Sequence, residues 1–273
     1  MLKRKLEELN LMDDFLFGTM VAYPKIGEEF VREILRTIFQ RDFGRLTIVP
    51  QKVYYGTDTD KHGVRLDVYL EENLGTEKEV ETATIYDVEP DQNDRSYNRK
   101  HLPRRTRFYH AKIDAECLKA GDSYKNLKNV VVIMITSYDP FDEDHMIYTV
   151  RNKCEELPDL PYDDGARTIY LYTKGTKGNP SQQLRDLLHY MEHTTVENAG
   201  NESLKKVQEL VDKVKYDGEV SIAFMKIFER EEMLREEGRE EGRREEQANT
   251  EREKRRADRL EAELRKLRME IKV

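Results

Sequence analysis

The fold is decided by two neighbouring segments, Gly63-Val64-Arg65-Leu66-Asp67-Val68-Tyr69-Leu70-Glu71-Glu72 and Thr82-Ala83-Thr84-Ile85-Tyr86-Asp87-Val88-Glu89-Pro90-Asp91-Gln92. Both segments alternate β-branched or aromatic residues with polar ones, which is typical of half-buried strands. Asn73, Gly75 and several acidic residues separate the two segments, as expected of a loop. The pattern therefore predicts two antiparallel strands joined by a loop.

Each predicted strand carries an acid in a mostly apolar neighbourhood, Asp67 on the first strand and Glu89 at the end of the second. Neighbouring strands lie about 4.8 Å apart, so two carboxylates placed side by side could share one cation. Hard cations such as Mg²⁺ take oxygen ligands. Acids at strand ends also commonly cap a backbone or face solvent, and the spacing alone leaves both interpretations open.

Composition places limits on the function. Charged residues make up 37% of the 273-residue chain, well above the usual quarter, which indicates a charge-rich solvated segment. A net charge of −8 excludes a uniformly basic nucleic-acid-binding coat but allows a local basic patch. Cys117 and Cys154 form neither a metal motif nor a disulfide framework, which favours a cytoplasmic setting. No apolar run is long enough to span a membrane, and we expect no signal peptide.

The remaining pattern predicts alternating helices and strands. The apolar run at 129–137 has the character of a strand buried on both faces in the centre of a sheet. Apolar residues recur at helical spacing in 11–40, 181–193 and 201–230. Further strands are predicted at 46–55, 146–150 and 168–173.

A basic segment follows Gln92. It contains Arg95, Arg99, Lys100, His101, Arg104, Arg105, Arg107, His110 and Lys112. Pro103 is suited to the first position of a helix, and such a helix would carry Arg104, Arg105 and Arg107 near its start. Arginine and lysine bind nucleic acid by displacing counterions from phosphates. The alternative is a solvated helix face paired with nearby acids.

His189 and His193 belong to a H-x-x-E-H sequence at the end of a predicted helix. Two histidines four residues apart can bind zinc on one helix face. The motif would need a third ligand that the sequence does not specify. Histidines in a last helical turn, where the helix dipole favours them, are the simpler interpretation.

The C-terminal tail is a tract of alternating glutamate and arginine that begins near Glu229. Opposite charges four residues apart support a helix, while Gly238 and Gly242 weaken it. A short heptad seam lies near the end of the chain and consists of Leu260, Leu264, Leu267 and Ile271. The seam can support self-association, and a frayed single helix is the alternative.

Taken in order, these segments resemble the PD-(D/E)XK nuclease superfamily, in particular its transposase or Rpn-like recombination-promoting nuclease family. The resemblance covers roughly residues 11 to 245. It is carried by Met12-Asp13-Asp14-Phe15-Leu16-Phe17-Gly18, Gly63-Val64-Arg65-Leu66-Asp67-Val68-Tyr69, Ile85-Tyr86-Asp87-Val88-Glu89, Leu102-Pro103-Arg104-Arg105-Thr106-Arg107-Phe108-Tyr109, Tyr138-Asp139-Pro140-Phe141, Asp163-Asp164-Gly165 and the Glu-Gly-Arg repeat of the tail.

The resemblance implies an α/β fold, a restriction-endonuclease-like α-β-β-β-α-β core with a helical C-terminal extension. With the composition shift, it predicts a nuclease-like domain at 1–195, a helical extension at 196–230 and a charged low-complexity helical tail at 231–273. It also implies DNA as the partner and a metal-dependent DNA endonuclease, associated with recombination or mobile elements, as the function.

The resemblance further implies that Asp67 and Glu89 are catalytic residues that hold Mg²⁺, or another divalent cation such as Mn²⁺. Arg104, Arg105 and Arg107 are the expected DNA-binding residues.

The third catalytic residue departs from the family pattern. The superfamily has a lysine two positions after the acid, and Rpn-like members often have glutamine there. Here Asp91 stands at that position. Our expectation is that Gln92 reaches the site, helped by a bulge at Pro90, or that Lys100 substitutes from the following helix. The departure favours, as an alternative, a catalytically inactive DNA-binding or interaction protein that oligomerises through its C-terminal helix.

Overall fold

A computed structural model describes residues 5–54, 64–73, 83–118 and 120–270, except for the side chains of 51–54, 64–68, 73, 231 and 265–270. The strands are β1 (Arg45–Tyr54), β2 (Val64–Asn73), β3 (Thr84–Asp91), β4 (Asn129–Thr136), β5 (Ile147–Val150) and β6 (Ala166–Tyr172). The helices are α1 (Asp14–Ala22), α2 (Ile26–Phe39), α3 (Ser96–Cys117), α4 (Gln182–Glu192), α5 (Glu202–Lys215) and α6 (Gly218–Glu270).

The strands form one mixed sheet in the order β1-β2-β3-β4-β6-β5. β1, β2 and β3 are antiparallel neighbours, as the alternating pattern predicts. β3, β4 and β6 are parallel, and β5 pairs antiparallel with β6 at the edge. The apolar run at 129–137 is confirmed as a central strand, since β4 lies between β3 and β6. The α/β fold implied by the resemblance is likewise confirmed.

One face of the sheet is covered by α3. Leu102 and Ile113 of this helix pack into a buried cluster with residues of the three central strands, among them Ile85, Val132 and Tyr170. Such burial of aliphatic and aromatic side chains is the main favourable term in folding. Because α3 connects two parallel neighbours, β3 and β4, it is the crossover helix that parallel pairing requires.

The other face is covered by helices from both ends of the unit. α1 and α2 pack on β1, and α2 also contacts α4 and α5. The Nζ of Lys215 donates to the carbonyl oxygens of Glu7 (2.9 Å) and Leu9 (2.7 Å) and so ties α5 to the start of the described chain. Tyr86 of β3 packs edge-on against Phe39 with ring centroids 5.4 Å apart.

The helix after β3 begins earlier than the sequence predicts. α3 starts at Ser96, so Pro103 lies inside the helix and is not its first residue. A proline in this position removes one backbone hydrogen bond, but the residues before it remain helical. As a result, Tyr97, Arg99, Lys100 and His101 belong to the same helix as the three arginines.

The chain divides into two compact units, Met1–Val220 and Ser221–Val273. The predicted boundaries at residues 195 and 230 remain predictions, since no observation tests them independently. Within the second unit, helical ion pairs such as Arg244–Glu240 (3.6 Å) and Arg255–Glu251 (3.6 Å) lie on the exposed surface. Leu260 and Leu264 are exposed, while the side chain of Leu267 and all of Ile271 lie outside the described residues.

A search of the described helices for a segment long and apolar enough to cross a membrane finds none.

Candidate metal and nucleic-acid site

Three acids occupy alternate positions at the end of β3: Asp87, Glu89 and Asp91. All are buried, with 0%, 6% and 6% of their surface exposed. Alternate residues of a strand share a face. Because Asp91 contacts Arg105 of α3, this face is the one that α3 covers. We call these three residues the acid row.

The pairing of β2 with β3 positions Asp67 relative to the acid row. The paired residues run from Glu72 opposite Thr84 to Tyr69 opposite Asp87. Both strands continue beyond this point, and position 67 lies two residues beyond the last pair on β2, as position 89 does on β3. Opposed residues of an antiparallel pair lie on one face of the sheet. The side chain of Asp67 lies outside the described part of the chain.

Asp91, at the end of the row, is held by three donors. Arg105 Nη2 and the Tyr138 hydroxyl donate to Oδ2 at 2.5 and 3.0 Å, and the Asn93 backbone N–H donates to Oδ1 at 2.8 Å. Burial raises the pKa of the Tyr138 hydroxyl, and the Asp91 carboxylate raises it further. Tyr138 therefore remains a protonated donor at neutral pH.

Arg105 is charged although it is largely enclosed. Burial alone would lower the pKa of its guanidinium, but the neighbouring Asp91 carboxylate raises it, and the net shift is upward. Its Nε is buried without a hydrogen-bond partner among the described atoms. Arg105 thus places a fixed positive charge, with one unused donor, beside the acid row.

Gln92 does not join the acid row. It follows the last residue of β3, and its Nε2 donates to the carbonyl oxygen of Met12. The prediction that Gln92 reaches the site depended on a bulge at Pro90. The parallel register runs without interruption through Glu89–Met134, Pro90–Ile135 and Asp91–Thr136, so strand alternation keeps Asp91 in the row and leaves Gln92 outside it.

The structure separates the three arginines that were expected to bind DNA. Arg104 and Arg107 are exposed on the outer surface of α3, whereas Arg105 turns toward the sheet and Asp91. Lys100 is also exposed. None of the ion pairs among the described residues involves Lys100, Arg104 or Arg107, which leaves their charges available to a phosphate.

The H-x-x-E-H histidines lie at the end of α4, and their ring centroids are 5.1 Å apart. Glu192 between them accepts from the Thr173 hydroxyl at 2.6 Å. Within the described part of the chain, no group of three histidine, cysteine or acidic residues is placed to hold a metal ion. The geometry thus adds no third ligand to the histidine pair.

Sequence analysis singled out Glu89 but did not recognise the acid row or the partners of Asp91. The spacing of Asp87, Glu89 and Asp91 at i, i+2 and i+4 within a strand was a usable signal, because it puts all three on one face. No local signal connects Arg105 or Tyr138 with Asp91, since these pairs are 14 and 47 residues apart.

The donor chemistry of this region fits a hard divalent cation. Carboxylate oxygens are the ligands that Mg²⁺ and Mn²⁺ favour, and softer metals prefer sulfur or imidazole. Glu89 offers a buried carboxylate, and a second acid, Asp67, stands on the neighbouring strand two residues beyond its last pair with β3. Ligands on two paired strands of a sheet form a rigid support for an ion.

A family model described as a PD-(D/E)XK nuclease family transposase matches residues 11–262, which is nearly the whole chain. No curated protein and no solved structure shows significant similarity to the chain. The matched range includes β2, β3, all of α3 and most of α6. The mixed sheet agrees with the nuclease fold of that family, and the chain therefore belongs to the PD-(D/E)XK nuclease family of transposases.

Proposed function

We propose that the chain is a metal-dependent DNA endonuclease that acts in recombination or in the movement of mobile elements. The observation that supports this proposal is the antiparallel pairing of β2 with β3 as far as Tyr69 opposite Asp87, together with the burial of Glu89 two residues beyond that pair. Family membership supports a nuclease reaction. We assign Asp67 and Glu89 as the ligands of Mg²⁺ or Mn²⁺.

Such an ion, when bound, polarises a phosphate oxygen and lowers the pKa of a coordinated water. The protein's own contribution is to hold the two carboxylates on neighbouring strands. Arg104 and Arg107 supply exposed positive charge for the DNA backbone. Phosphate contacts of this kind fix the position of the duplex and carry no sequence preference of their own.

The third motif position holds an acid where the superfamily has a lysine. We propose that Arg105 supplies a hydrogen-bond donor in place of that lysine, since its charge is paired with Asp91. Its guanidinium is fixed by Asp91 at 2.5 Å, and its buried Nε is a donor without a partner among the described atoms. Arg105 thus acts as a positioning residue beside the site and not as a surface DNA contact.

Plasmid nicking tests the proposal. We expect the purified protein to convert supercoiled plasmid to open circles with Mg²⁺ or Mn²⁺, and EDTA, Asp67→Ala and Glu89→Ala each to abolish the reaction. Glu71→Ala is the matched control, because Glu71 is an acid of the same strand whose charge is paired with Lys128 at 2.6 Å. Nicking that survives both acid variants contradicts the assignment.

A second function has one observation in its favour. Asp91 stands at the third position in place of the lysine of the superfamily, and its carboxylate is bound by Arg105 and Tyr138. The neighbouring Gln92 is bound to Met12. The chain would then be a catalytically inactive member that binds DNA or recruits partners. No nicking with any divalent cation, together with salt-sensitive DNA binding, would establish this alternative.

We also propose that α6 mediates self-association. Leu260 and Leu264 lie four residues apart on this helix and are 53% and 55% exposed. Apolar residues at such spacing form the contact seam of coiled coils.

A further inference from the structure

The outer face of α3 carries a line of exposed rings and basic groups. Tyr97, His101, Arg104 and Phe108 follow one another at spacings of four, three and four, so they lie above one another on the helix surface. Tyr97 is 72% exposed and Phe108 is 39% exposed. At 1.5 Å per residue the line is about 16 Å long. We call these four residues the outer stripe.

Two members of the outer stripe already stack on each other. The rings of Tyr97 and His101 have centroids 4.4 Å apart and an interplanar angle of 35°. His101 Nδ1 lies 2.7 Å from the Tyr97 carbonyl oxygen. Since a carbonyl oxygen only accepts, Nδ1 is the donor and the ring orientation is fixed. Rings that are pre-oriented lose little conformational freedom when a further ring stacks on them.

The charge around the outer stripe has one sign. From Ser96 to Ile113 the helix contains no acidic residue, although the whole chain has a net charge of −8. Arg99 and Arg105, on the inner side, are paired with Asp94 and Asp91. Lys100, Arg104 and Arg107 are exposed and take part in none of the ion pairs of the described residues. The uncompensated charge therefore coincides with the exposed rings.

We infer that the outer stripe binds single-stranded DNA, with unpaired bases stacked on Tyr97 and Phe108 and backbone phosphates on Lys100, Arg104 and Arg107. Aromatic side chains combined with a basic track are how proteins hold single strands without sequence preference. In a duplex the base faces are already stacked on one another. The phosphates of a duplex can therefore contact the basic side chains of α3, but its bases cannot stack on Tyr97 and Phe108. Scattered exposed rings are ordinary on protein surfaces; here their alignment with uncompensated charge points to a ligand.

This inference deepens the proposed function and rests on it for the choice of DNA. The substrate class becomes DNA with an unpaired segment, such as a flap, a junction or an open recombination intermediate. The stripe lies on the helix whose inner side contacts the acid row through Arg105. Binding can be measured with EDTA present, so its outcome is independent of whether the protein cleaves DNA.

The first experiment compares affinities of the full chain for a fluorescent oligothymidylate of about 12 nucleotides and for a duplex of equal length. We expect Tyr97→Ala and Phe108→Ala each to weaken single-strand binding by about 5- to 150-fold and to leave duplex binding unchanged. Arg104→Ala should weaken both. Tyr124→Ala is the matched control, because Tyr124 is 85% exposed and lies outside the stripe. Thermal melting by circular dichroism verifies that each variant is folded.

The second experiment uses the absence of tryptophan from the chain. In Tyr97→Trp the new indole is the single such fluorophore, and stacking with a base quenches its emission. We expect quenching by oligothymidylate in Tyr97→Trp and none in Tyr124→Trp. Equal quenching in both variants, equal losses of single-strand and duplex affinity in Tyr97→Ala, or binding of oligouridylate without oligothymidylate overturns the inference.

Discussion

Asp91 is a buried carboxylate at the end of β3, and its surroundings explain how an acid is tolerated there. Three donors from three parts of the chain, Arg105, Tyr138 and the Asn93 backbone, converge on its two oxygens. A buried carboxylate without such partners would be strongly unfavourable. The burial of Asp91 is therefore compensated in part by an arginine on the crossover helix.

Replacing Arg105 tests this compensation. Arg105→Met leaves Asp91 buried without its cation, and we expect the free energy of unfolding to fall by about 2 kcal/mol, less than for a fully buried pair because the guanidinium is partly exposed. Urea denaturation provides the measurement. Arg104→Met, the adjacent exposed arginine, should change stability little. Adding Asp91→Asn to Arg105→Met should recover part of the loss, and no recovery would contradict the pairing.

His110 predicts a dependence of stability on pH. Its Nε2 is 2.9 Å from the Thr168 hydroxyl, and its Nδ1 is buried without a partner among the described atoms. Burial lowers the pKa of His110 below its ordinary value of 6.5, and nearby Asp164 opposes this only in part. Below pH 6.5 the unfolded chain therefore binds a proton at His110 that the folded chain does not bind. The free energy of unfolding decreases as the pH is lowered, until the pH reaches the lower folded-state pKa of His110.

The variant His110→Gln should show a smaller loss of stability on acidification, because glutamine does not titrate and can still bond Thr168. Urea denaturation above and below pH 6.5 measures the difference. Identical slopes in the two proteins would show that the His110 pKa does not differ between the folded and unfolded states.

At the scale of the element, the corner between α1 and α2 depends on Gly27. A Cβ at this position would collide with the carbonyl oxygen of Val21 and lie 2.9 Å from its carbonyl carbon. The Gly27 N–H also donates to the Tyr23 carbonyl at 3.0 Å. The backbone of one helix thus passes directly over the first turn of the next, which sets the angle between them.

We expect Gly27→Ala to destabilise the fold by about 2 kcal/mol, because an added methyl group must displace backbone. Gly238→Ala is the control, since a Cβ there meets nothing within 4 Å and alanine favours a helix by about 1 kcal/mol over glycine. Thermal melting followed by circular dichroism compares the two. A Gly27→Ala protein with the same melting temperature as the unmodified protein would show that the backbone between α1 and α2 can shift to accommodate the added methyl group.

The elements differ in how well they could be predicted from sequence. β2, β3 and β4 follow directly from alternation or from a continuous apolar run, because those periods reflect which faces are buried. The start of α3 was missed, since Pro103 normally marks a first turn and here lies within the helix. The partner of Gln92 was missed too, because a contact with Met12, 80 residues away, leaves no trace in local pattern.

At the scale of the whole molecule, the buried apolar side chains among the described residues all lie within the unit Met1–Val220. The second unit is rich in exposed glutamate and arginine, and its large apolar side chains, such as Ile222, Met225 and Met233, are exposed as well. Composition predicted this segregation, because a chain with 37% charged residues must place the excess in a solvated segment. The acidic net charge therefore describes the chain as a whole and not α3, whose Lys100, Arg104 and Arg107 face outward.

The central claim is that acids on two paired strands hold one divalent cation. Isothermal titration of the metal-free protein with Mn²⁺ measures this directly, whether or not DNA is cleaved. We predict one saturable site in the unmodified protein, lost in Asp67→Asn and in Glu89→Gln and retained in the control Glu71→Gln. Absence of binding by the unmodified protein, or unchanged binding by both acid variants, would contradict the account.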